Sequence, residues 1–185
     1  MIYCFSGTGN TRAVATRLAQ FTGDEVRGFT PQELHSPSDA LLTTAGDRDK
    51  RIIWAFPTYS WGIPPVVAEI MKKCRFTDSA ASATHIMLTT CGDDMAYTDR
   101  QWRQIMHSRR LATAGAYAVT MPNTYVLMKG FNIDTPEVAR HKLCAMPAAV
   151  EAIAGSIQTD GPDILVRLGW SWLKSRIIYP WFCRF

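Results

Sequence analysis

The chain has 185 residues and a formal net charge of +4, and hydrophobic and charged residues make up 47% and 19% of it. These proportions are ordinary for one globular domain with a sizeable core. No stretch of about 18 apolar residues is present, which excludes a transmembrane helix. The basic residues are dispersed and form no recognition motif, which argues against a nucleic-acid partner.

The cysteines and histidines give no sign of a metal or cluster site. The cysteines are Cys4, Cys74, Cys91, Cys144 and Cys183. They form no Cys-x-x-Cys pair, so the sequence predicts no zinc, cluster or redox-dithiol motif. An odd, scattered set without a signal peptide leads us to expect a reducing, cytoplasmic location. The histidines have no ligand spacing; they are His35, His85, His107 and His141.

The first distinctive element is a polar loop between an apolar run, residues 2–5, and a helical pattern, residues 12–21. A strand, a tight turn and a helix N-terminus in this order make an anion site, because the first N–H groups of a helix lack intrahelical acceptors and lie at the positive end of its dipole. Glycines allow close backbone approach, and hydroxyl and amide groups add donors. The loop residues are Ser6, Gly7, Thr8, Gly9, Asn10 and Thr11.

This loop differs from two other phosphate-binding motifs. It contains no lysine, so it is not a Walker A loop, and Arg12 stands where a dinucleotide fingerprint needs its third glycine. Because its donors are neutral, the loop suits a permanently held monophosphate better than a triphosphate undergoing hydrolysis. The alternative is a strand–helix turn that binds no ligand.

The loop resembles the first loop of the flavodoxin family, which reads Ser/Thr-x-Thr-Gly-Asn-Thr and binds the phosphate of FMN. Residues 6–11 match this pattern throughout. The resemblance implies FMN as the cofactor. It also implies a flavodoxin-like α/β fold, with a five-stranded parallel sheet of order 2-1-3-4-5 and helices on both faces.

The rest of the chain alternates predicted strands with predicted helices. Apolar runs bounded by turn residues predict strands at 2–5, 25–29, 51–56, 85–90 and 116–121. Predicted helices cover 12–21, a short stretch capped by Ser38, a stretch opened by Pro64 and Pro65, residues 97–111 and a stretch that starts at 134–137. This alternation predicts βαβ units and therefore a mostly parallel sheet with helices on both faces.

The last predicted helix carries an apolar stripe at alternating steps of four and three residues, which is a core-facing pattern. The stripe consists of Ala139, Leu143, Met146, Val150, Ile153 and Ile157. Pro147 falls inside it and is expected to kink or split the helix, since an interior proline costs about 3 kcal/mol. The connection before this helix, residues 122–133, is long for a loop without a function.

Three turns are predicted to meet where ligands bind in an open parallel sheet, beyond the carboxyl ends of its strands. Tyr59 and Trp61 offer rings that stack on an isoalloxazine face, and Gly92 allows close backbone approach. The candidate cofactor-binding residues are Ser6, Gly7, Thr8, Gly9, Asn10, Thr11, Pro57, Thr58, Tyr59, Ser60, Trp61, Gly62, Thr90, Cys91, Gly92, Asp93 and Tyr97.

Plainer interpretations of these residues stay open. Tyr59 and Trp61 also fit as caps over the core. Asp93 and Asp94 fit as a solvated turn, and Cys91 fits as an inert buried thiol. Carboxylates beside a flavin disfavour its negatively charged reduced form. The expected output is a low-potential electron carrier that needs no catalytic residue of its own.

Residues 164–185 differ in character from the domain before them, residues 1–163. They contain no acidic residue. Their cations and rings are Arg167, Lys174, Arg176, Arg184, Trp170, Trp172, Tyr179, Trp181, Phe182 and Phe185. Such a tail fits contact with a membrane surface, docking on a partner, or folding back over the domain.

Four motifs together resemble a narrower family, in which a flavodoxin-like domain precedes a ferredoxin domain with two [4Fe–4S] clusters. They are Phe5–Thr11, Pro57–Pro64, Thr90–Asp94 and Met121–Tyr125. The resemblance implies electron exchange between FMN and the clusters of a fused or separate ferredoxin, and it places Asn123 and Tyr125 beside the flavin. This chain departs from the family because it has no Cys-x₂-Cys-x₂-Cys-x₃-Cys run.

One possibility is a flavodoxin-like domain that binds no flavin. If flavin is bound, two functions remain open. The first is a one-electron carrier. The alternative is an enzyme, either an FMN-dependent NAD(P)H or quinone oxidoreductase or a protoporphyrinogen-oxidase-like protein. A reductase needs an open pocket over the flavin ring and is commonly a dimer, whereas a carrier needs only an exposed ring edge. The sequence does not fix the oligomeric state.

Overall fold

The computed structural model describes residues 1–44, 51–124 and 133–184. The strands are β1 (Ile2–Cys4), β2 (Val26–Gly28), β3 (Leu41–Leu42), β4 (Arg51–Pro57), β5 (Arg75–Phe76), β6 (Thr84–Cys91) and β7 (Thr113–Thr120). Five of them form one parallel sheet of order β2-β1-β4-β6-β7, and β3 pairs with β5 separately. Counting only the five main strands, this is the predicted order 2-1-3-4-5, and the flavodoxin-like fold is confirmed.

Helices cover both faces of this sheet. They are α1 (Asn10–Thr22), α2 (Pro31–His35), α3 (Pro65–Lys73), α4 (Asp78–Ala81), α5 (Thr98–Ser108), α6 (Pro136–Gln158), α7 (Ser171–Leu173) and α8 (Tyr179–Phe182). A 3₁₀ turn spans Pro37–Asp39, and a π-helical turn, Lys174–Ile178, joins α7 to α8. Every predicted strand is present, and the main predicted helices correspond to α1, α3, α5 and α6.

The central strand β4 is buried on both sides, as its unbroken apolar run predicts. Alternate residues along it face two different cores. Trp54 belongs to the core under α3 and α5, which also contains Trp102. Ile53 belongs to the core under α1 and α6, together with Leu18 and Val150.

The segment between β2 and β4 differs from the prediction. No helix begins after Ser38; that residue lies inside the 3₁₀ turn. The helix begins earlier, at Pro31, because Thr30 and Glu33 form a complete capping box. The Thr30 hydroxyl accepts from the Glu33 N–H, while the Glu33 carboxylate accepts from the Thr30 N–H. The proline at the first helical position is preorganised for this start.

Helix α6 is continuous across Pro147, so the expectation that the proline splits it is wrong. Only the second half of the predicted stripe is buried, from Val150 onward, where α6 packs beside α1. Leu143 in the first half is exposed. Packing of the later half of α6 stabilises the helix as a whole. Pro147 lies at an exposed position, so its ring contacts solvent and does not clash with the core.

The tail folds back onto the face that carries α3 and α5. Ile164 bridges Tyr117 of β7, and the N–H of Met95 donates to the carbonyl of Val166 at 3.0 Å. Leu165 and Val166 then pack against the core under α3 and α5. Within the three described stretches of the chain, no helix is long and apolar enough to cross a membrane.

Candidate functional site

Two hydrogen bonds join the three predicted turns at the carboxyl edge of the sheet. The N–H of Thr58 donates to the carbonyl of Thr90 at 2.7 Å, which ties the turn after β4 to the end of β6. The hydroxyls of Thr11 and Thr90 share a buried hydrogen bond of 2.8 Å, which ties the first loop to the same strand. The turns that the sequence singled out are therefore neighbours.

The first loop presents an exposed backbone at the N-terminus of α1. Gly9 takes the left-handed conformation, φ 95°, and is the residue from which the helix starts. The Ser6 hydroxyl accepts from the N–H groups of Gly9 and Arg12, at 3.2 and 3.3 Å. Residues 7–9 are exposed. The helix leaves the N–H groups of its first turn without intrahelical acceptors, which is the arrangement that binds anions.

Gly7 lies directly against Tyr59 of the second turn. A Cβ at position 7 would meet the Tyr59 hydroxyl at 2.7 Å, so only glycine fits there without displacing that side chain. The Tyr59 ring also meets Phe5 edge-on. Burial raises the pKa of Tyr59, which keeps the phenol neutral and available as a donor. The two turns thus form one continuous surface around the loop.

Asn10 and Thr11 serve mainly to attach this loop to its neighbours. The Asn10 amide donates to the carbonyl of Pro122 at 3.0 Å, and the Thr11 hydroxyl is the buried partner of Thr90. Thr8 remains exposed, with the Thr124 hydroxyl 3.5 Å from its own. Of the loop side chains, Ser6 and Thr8 are therefore the ones left facing an incoming anion.

The second turn is a tight reversal with two left-handed residues at its tip. Tyr59 and Gly62 exchange both backbone hydrogen bonds, and Ser60 and Trp61 have φ values of 46° and 63°. Such a conformation is unfavourable for a bulky residue such as tryptophan. Lys174 of the tail lies over the Trp61 ring, 5.2 Å from its centre, and the Trp61 side chain is half-buried.

The third turn begins with a buried thiol and a close backbone contact. Burial raises the pKa of Cys91 to about 12, with Asp94 and Asp93 adding to the shift, so the thiol stays protonated and inert. A Cβ at Gly92 would meet the Cβ of Asn123 at 3.3 Å, which places residue 123 against this turn. Tyr125, the other residue expected there, lies outside the described residues.

A lysine that the sequence did not reveal neutralises the exposed carboxylate of this turn. Lys142 of α6 donates to Asp93 at 2.9 Å and to Asp134 at 2.7 Å. Asp134 also accepts from the Asn123 N–H at 2.9 Å. These contacts lower the pKa of Asp134, overcoming its partial burial, and raise that of Lys142. The sequence feature that could have indicated these contacts is the position of Asp134 just before α6, the helix that carries Lys142.

Asp94 is a buried anchor for the tail and not part of a solvated turn. Its side chain is 3% exposed and accepts from the N–H groups of Ala96 and Leu168 and from Lys174. Tyr97, predicted to contact the cofactor, lies with its ring against Arg100 and Arg167. It lines a groove beneath the tail, whereas Ser6, Gly7, Tyr59 and Thr90 meet at the joined turns.

The tail reaches the second turn as well as the third. The Tyr179 hydroxyl donates to the carbonyl of Ile63 at 2.6 Å, and a Cβ at Gly62 would lie 2.2 Å from the Tyr179 ring. Among residues 1–44, 51–124 and 133–184, no group of three His, Cys, Asp or Glu side chains is placed to hold a metal ion. The site is therefore one of backbone donors, hydroxyls and rings.

The fold is shared with solved structures at low sequence identity. The Trp repressor binding protein of Bacillus subtilis matches with a TM-score of 0.50 and 14% identity, over 81% of this chain and 94% of that one. A flavodoxin of Streptococcus pneumoniae TIGR4 matches at 0.46 and 14%, over 84% and 97%. An azoreductase of Bacillus anthracis str. Sterne matches at 0.49 and 10%, over 84% and 97%.

No protein-family profile matches the chain, and no curated protein matches it either. The structural matches extend over most of each solved chain, but their identities of 10–14% bear on the fold alone. The match with a TM-score of 0.50 agrees with the observed strand order, which makes this chain an α/β protein of the flavodoxin-like fold.

Proposed function

We propose that the chain binds FMN at the three joined turns and carries electrons to or from the [4Fe–4S] clusters of a fused or separate ferredoxin. The observation that carries the proposal is the first loop. Its exposed residues 7–9 stand at the N-terminus of α1, with Gly9 at φ 95° and neutral donors around it. The cluster partner is supported by the resemblance of the four sequence motifs.

The residues present fit a flavin monophosphate. The first-turn N–H groups of α1 with the Ser6 and Thr8 hydroxyls would hold the phosphate, and the absent Cβ of Gly7 leaves the space that the Tyr59 hydroxyl now borders. The rings of Tyr59 and Trp61 would contact the isoalloxazine. When bound, FMN supplies reversible electron uptake, and the protein supplies binding and orientation.

A carrier role fits the described part of these turns, where we identify no side chain suited to act as a general acid or base. Burial raises the pKa of both Cys91 and Tyr59 above their ordinary values, which moves them further from neutrality. Asp93 and Asp94 are each held by a lysine. A general acid or base works best with a pKa near the operating pH, and neither Cys91 nor Tyr59 meets that condition.

The first test compares FMN with riboflavin, which lacks the phosphate. Because each charge-assisted hydrogen bond contributes about 1.5–3 kcal/mol, FMN is expected to bind at least about a hundred-fold more tightly. The double variant Ser6→Ala/Thr8→Ala should reduce FMN affinity and leave riboflavin affinity unchanged. Fluorescence titration measures both. Equal affinities for the two flavins in the parent protein would contradict the proposal.

A second variant tests the cradle itself. Gly7→Ala places a methyl group where the Tyr59 hydroxyl lies and should abolish FMN retention. The double variant Gly7→Ala/Tyr59→Phe removes that hydroxyl and should recover part of it. Gly155→Ala is the matched control, because nothing lies within 4 Å of the new methyl on α6. A Gly7→Ala protein that purifies with full flavin content would refute the assignment of this loop.

Rapid mixing separates the carrier from the reductase. The FMN-loaded protein is expected to accept electrons rapidly from a reduced two-cluster [4Fe–4S] ferredoxin and only slowly from NADPH or NADH. Flavin absorbance follows both reactions. Rapid bleaching by a nicotinamide, with turnover of a quinone, would replace the carrier by an FMN-dependent oxidoreductase.

A further inference from the structure

The tail exposes an unusual concentration of indole rings. Trp170, Trp172 and Trp181 are 79%, 61% and 54% exposed, and Ile177 between them is also exposed. Single exposed apolar residues are normal on a protein surface, but a cluster of large ones marks a contact surface. Indole is the side chain that favours the boundary between water and lipid.

The tail is held to the domain by its inner side, so this exposure does not come from a detached end. The N–H of Tyr97 donates to the Ser175 hydroxyl at 3.1 Å, and the Tyr179 hydroxyl donates to Ile63. Ile177 and Trp181 are four residues apart in the helical segment and are both exposed, so they lie along one outer side of it, and the exposed Trp170 directly precedes the segment. The segment therefore lies flat on the domain and turns that side outward.

Unpaired positive charge lies beside these rings. Arg167 and Lys174 are neutralised by Asp99 and Asp94. Arg176 of the tail and Arg100 of α5, by contrast, have no carboxylate within 4.0 Å in the part of the chain that the structure describes. The tail itself contains no acidic residue between 164 and 184.

A groove of about 670 Å³ connects the charges with one of the exposed indole rings, that of Trp172. It runs between α3, α5 and the tail. Its cations are Arg100, Arg176 and Lys72, of which Lys72 also pairs with Glu69, and Trp172 stands on its wall. A groove of this kind offers several donors to a phosphate while a neighbouring ring enters the apolar boundary region.

We propose that this tail face docks on the surface of an anionic phospholipid bilayer, with indole rings at the headgroup level and a lipid phosphate in the groove. A helix lying flat with rings on one side and cations beside it has the composition of an interfacial segment. The exposed indole rings are spread along residues 170–181 of the tail. A bilayer accepts them wherever they fall, whereas a protein partner needs a complementary pocket for each. This inference is independent of flavin binding.

The test is co-sedimentation with vesicles and the shift of tryptophan emission. Vesicles of equal parts phosphatidylcholine and phosphatidylglycerol should bind the protein and shift its emission to the blue, while pure phosphatidylcholine vesicles should bind it at least ten-fold more weakly. Trp170→Asn/Trp172→Ser should reduce binding to the anionic vesicles about ten-fold or more. Both rings are largely exposed, so circular dichroism and thermal unfolding should match the parent protein.

A matched pair of charge variants separates the groove from net charge. Arg100→Gln/Arg176→Gln removes two charges from the groove and should weaken binding about 30-fold, at roughly 1 kcal/mol per cation. Arg17→Gln/Arg140→Gln removes two charges from α1 and α6 on the opposite face of the sheet and should change binding less than about two-fold.

Three results would overturn the proposal. One is failure of the parent protein to bind anionic vesicles, and another is equal weakening by the two charge variants. The third is a saturable complex with a [4Fe–4S] ferredoxin, or a concentration-dependent dimer in analytical ultracentrifugation, that Trp170→Asn/Trp172→Ser abolishes while vesicle binding is absent or unaffected. That result would assign the face to a protein partner or to a second copy of this chain.

Discussion

The first and third turns of the site are built in opposite ways. The first loop uses neutral groups: the Ser6 hydroxyl accepts locally from the N–H groups of Gly9 and Arg12, while Asn10 and Thr11 anchor the loop to other turns. The third turn carries charges whose partners lie far along the chain. Asp93 meets Lys142 at a separation of 49 residues, and Asp94 meets Lys174 at a separation of 80.

This difference divides the roles of the two turns. The side chains of Ser6 and Thr8 lie toward the surface of the first loop and carry no charge, so their substitution should affect folding little and ligand binding more. The third turn contributes to stability, because Asp94 and the Lys142 partner of Asp93 are nearly buried charges and an unpaired buried charge is expensive. We expect substitutions in the first loop to alter binding and substitutions at the third turn to alter stability.

The largest effect is expected from Lys142→Met. The side chain of Lys142 is 9% exposed and holds Asp134 and Asp93. Its loss leaves the nearly buried Asp134 carboxylate without a cation, with the Asn123 N–H as its remaining donor, and should cost about 3 to 5 kcal/mol of unfolding free energy. Urea denaturation measures this. Lys72→Met is the control, since its exposed pair with Glu69 should contribute less than about 1 kcal/mol. Equal costs for the two lysines would remove the distinction between the turns.

As the pH falls, the first loss of stability should come from protonation of the buried, neutral His85 and not from the charged third turn. Burial lowers the pKa of His85 to about 4, with Arg109 adding to the shift, and its Nδ1 accepts from Trp54 at 3.0 Å. The unfolded chain binds the proton more tightly, so stability is complete above about pH 6.5 and falls by about 3 kcal/mol as the pH drops toward 4.

The contribution of Asp134 follows at lower pH. Its folded pKa is lowered, so its contribution is present above the ordinary value of 3.8 and is lost only below it. Urea midpoints between pH 7 and 5, above the ordinary pKa values of the paired carboxyls Glu33 and Asp134, should therefore become flat in His85→Asn and remain steep in His35→Asn, which alters an exposed histidine. A steep His85→Asn profile over that range would contradict the assignment.

A smaller effect is expected from Lys174→Met. Asp94 keeps its two backbone donors from Ala96 and Leu168, so the loss should be about 2 kcal/mol. The tail should also become the first site of limited proteolysis, because the lysine ties it to the third turn. Mass spectrometry of the fragments locates the cut. Unchanged stability and no cleavage within 164–184 would show that the pair does not hold the tail.

The smallest change in unfolding free energy is expected from Gly9→Ala. It should destabilise the protein, whereas Gly155→Ala should stabilise it. A methyl group at either position meets nothing within 4 Å, so only the backbone conformation differs. Gly9→Ala forces alanine to φ 95° and should cost about 1 kcal/mol, whereas Gly155→Ala lies in a helix and should stabilise by up to about 1 kcal/mol. Thermal unfolding compares them; a stabilising Gly9→Ala would mean that the loop relaxes.

Local signals predicted the sheet and the joined turns. The strand order and the closeness of Thr11, Thr58 and Thr90 follow from apolar runs and turn residues within short windows of sequence. The helix after Ser38 was wrong because the capping box at Thr30 and Glu33, also a local signal, was overlooked. Both signals lie in the same segment, and the capping box is the one at which the helix begins.

The long-range contacts were beyond prediction from one sequence. Nothing near Asp94 indicates that Lys174 will reach it, or that Tyr179 will cover Gly62, because each depends on where the tail crosses the domain. Pro147 illustrates the same limit: its intrinsic cost predicted a break, and the packing of the later half of α6 decided otherwise. Tertiary context overrides local preference at these positions.

The ring of Tyr179 pressed on Gly62 has a consequence for communication across the molecule. The turn with Tyr59 and Trp61 is in direct contact with the helical tail at that point, so we expect the two to shift together. Any ligand that favours one position of the turn must therefore favour one position of the tail. By thermodynamic reciprocity, a partner that binds the tail then changes the affinity of the turn for its ligand by the same factor as that ligand changes the affinity of the tail for the partner.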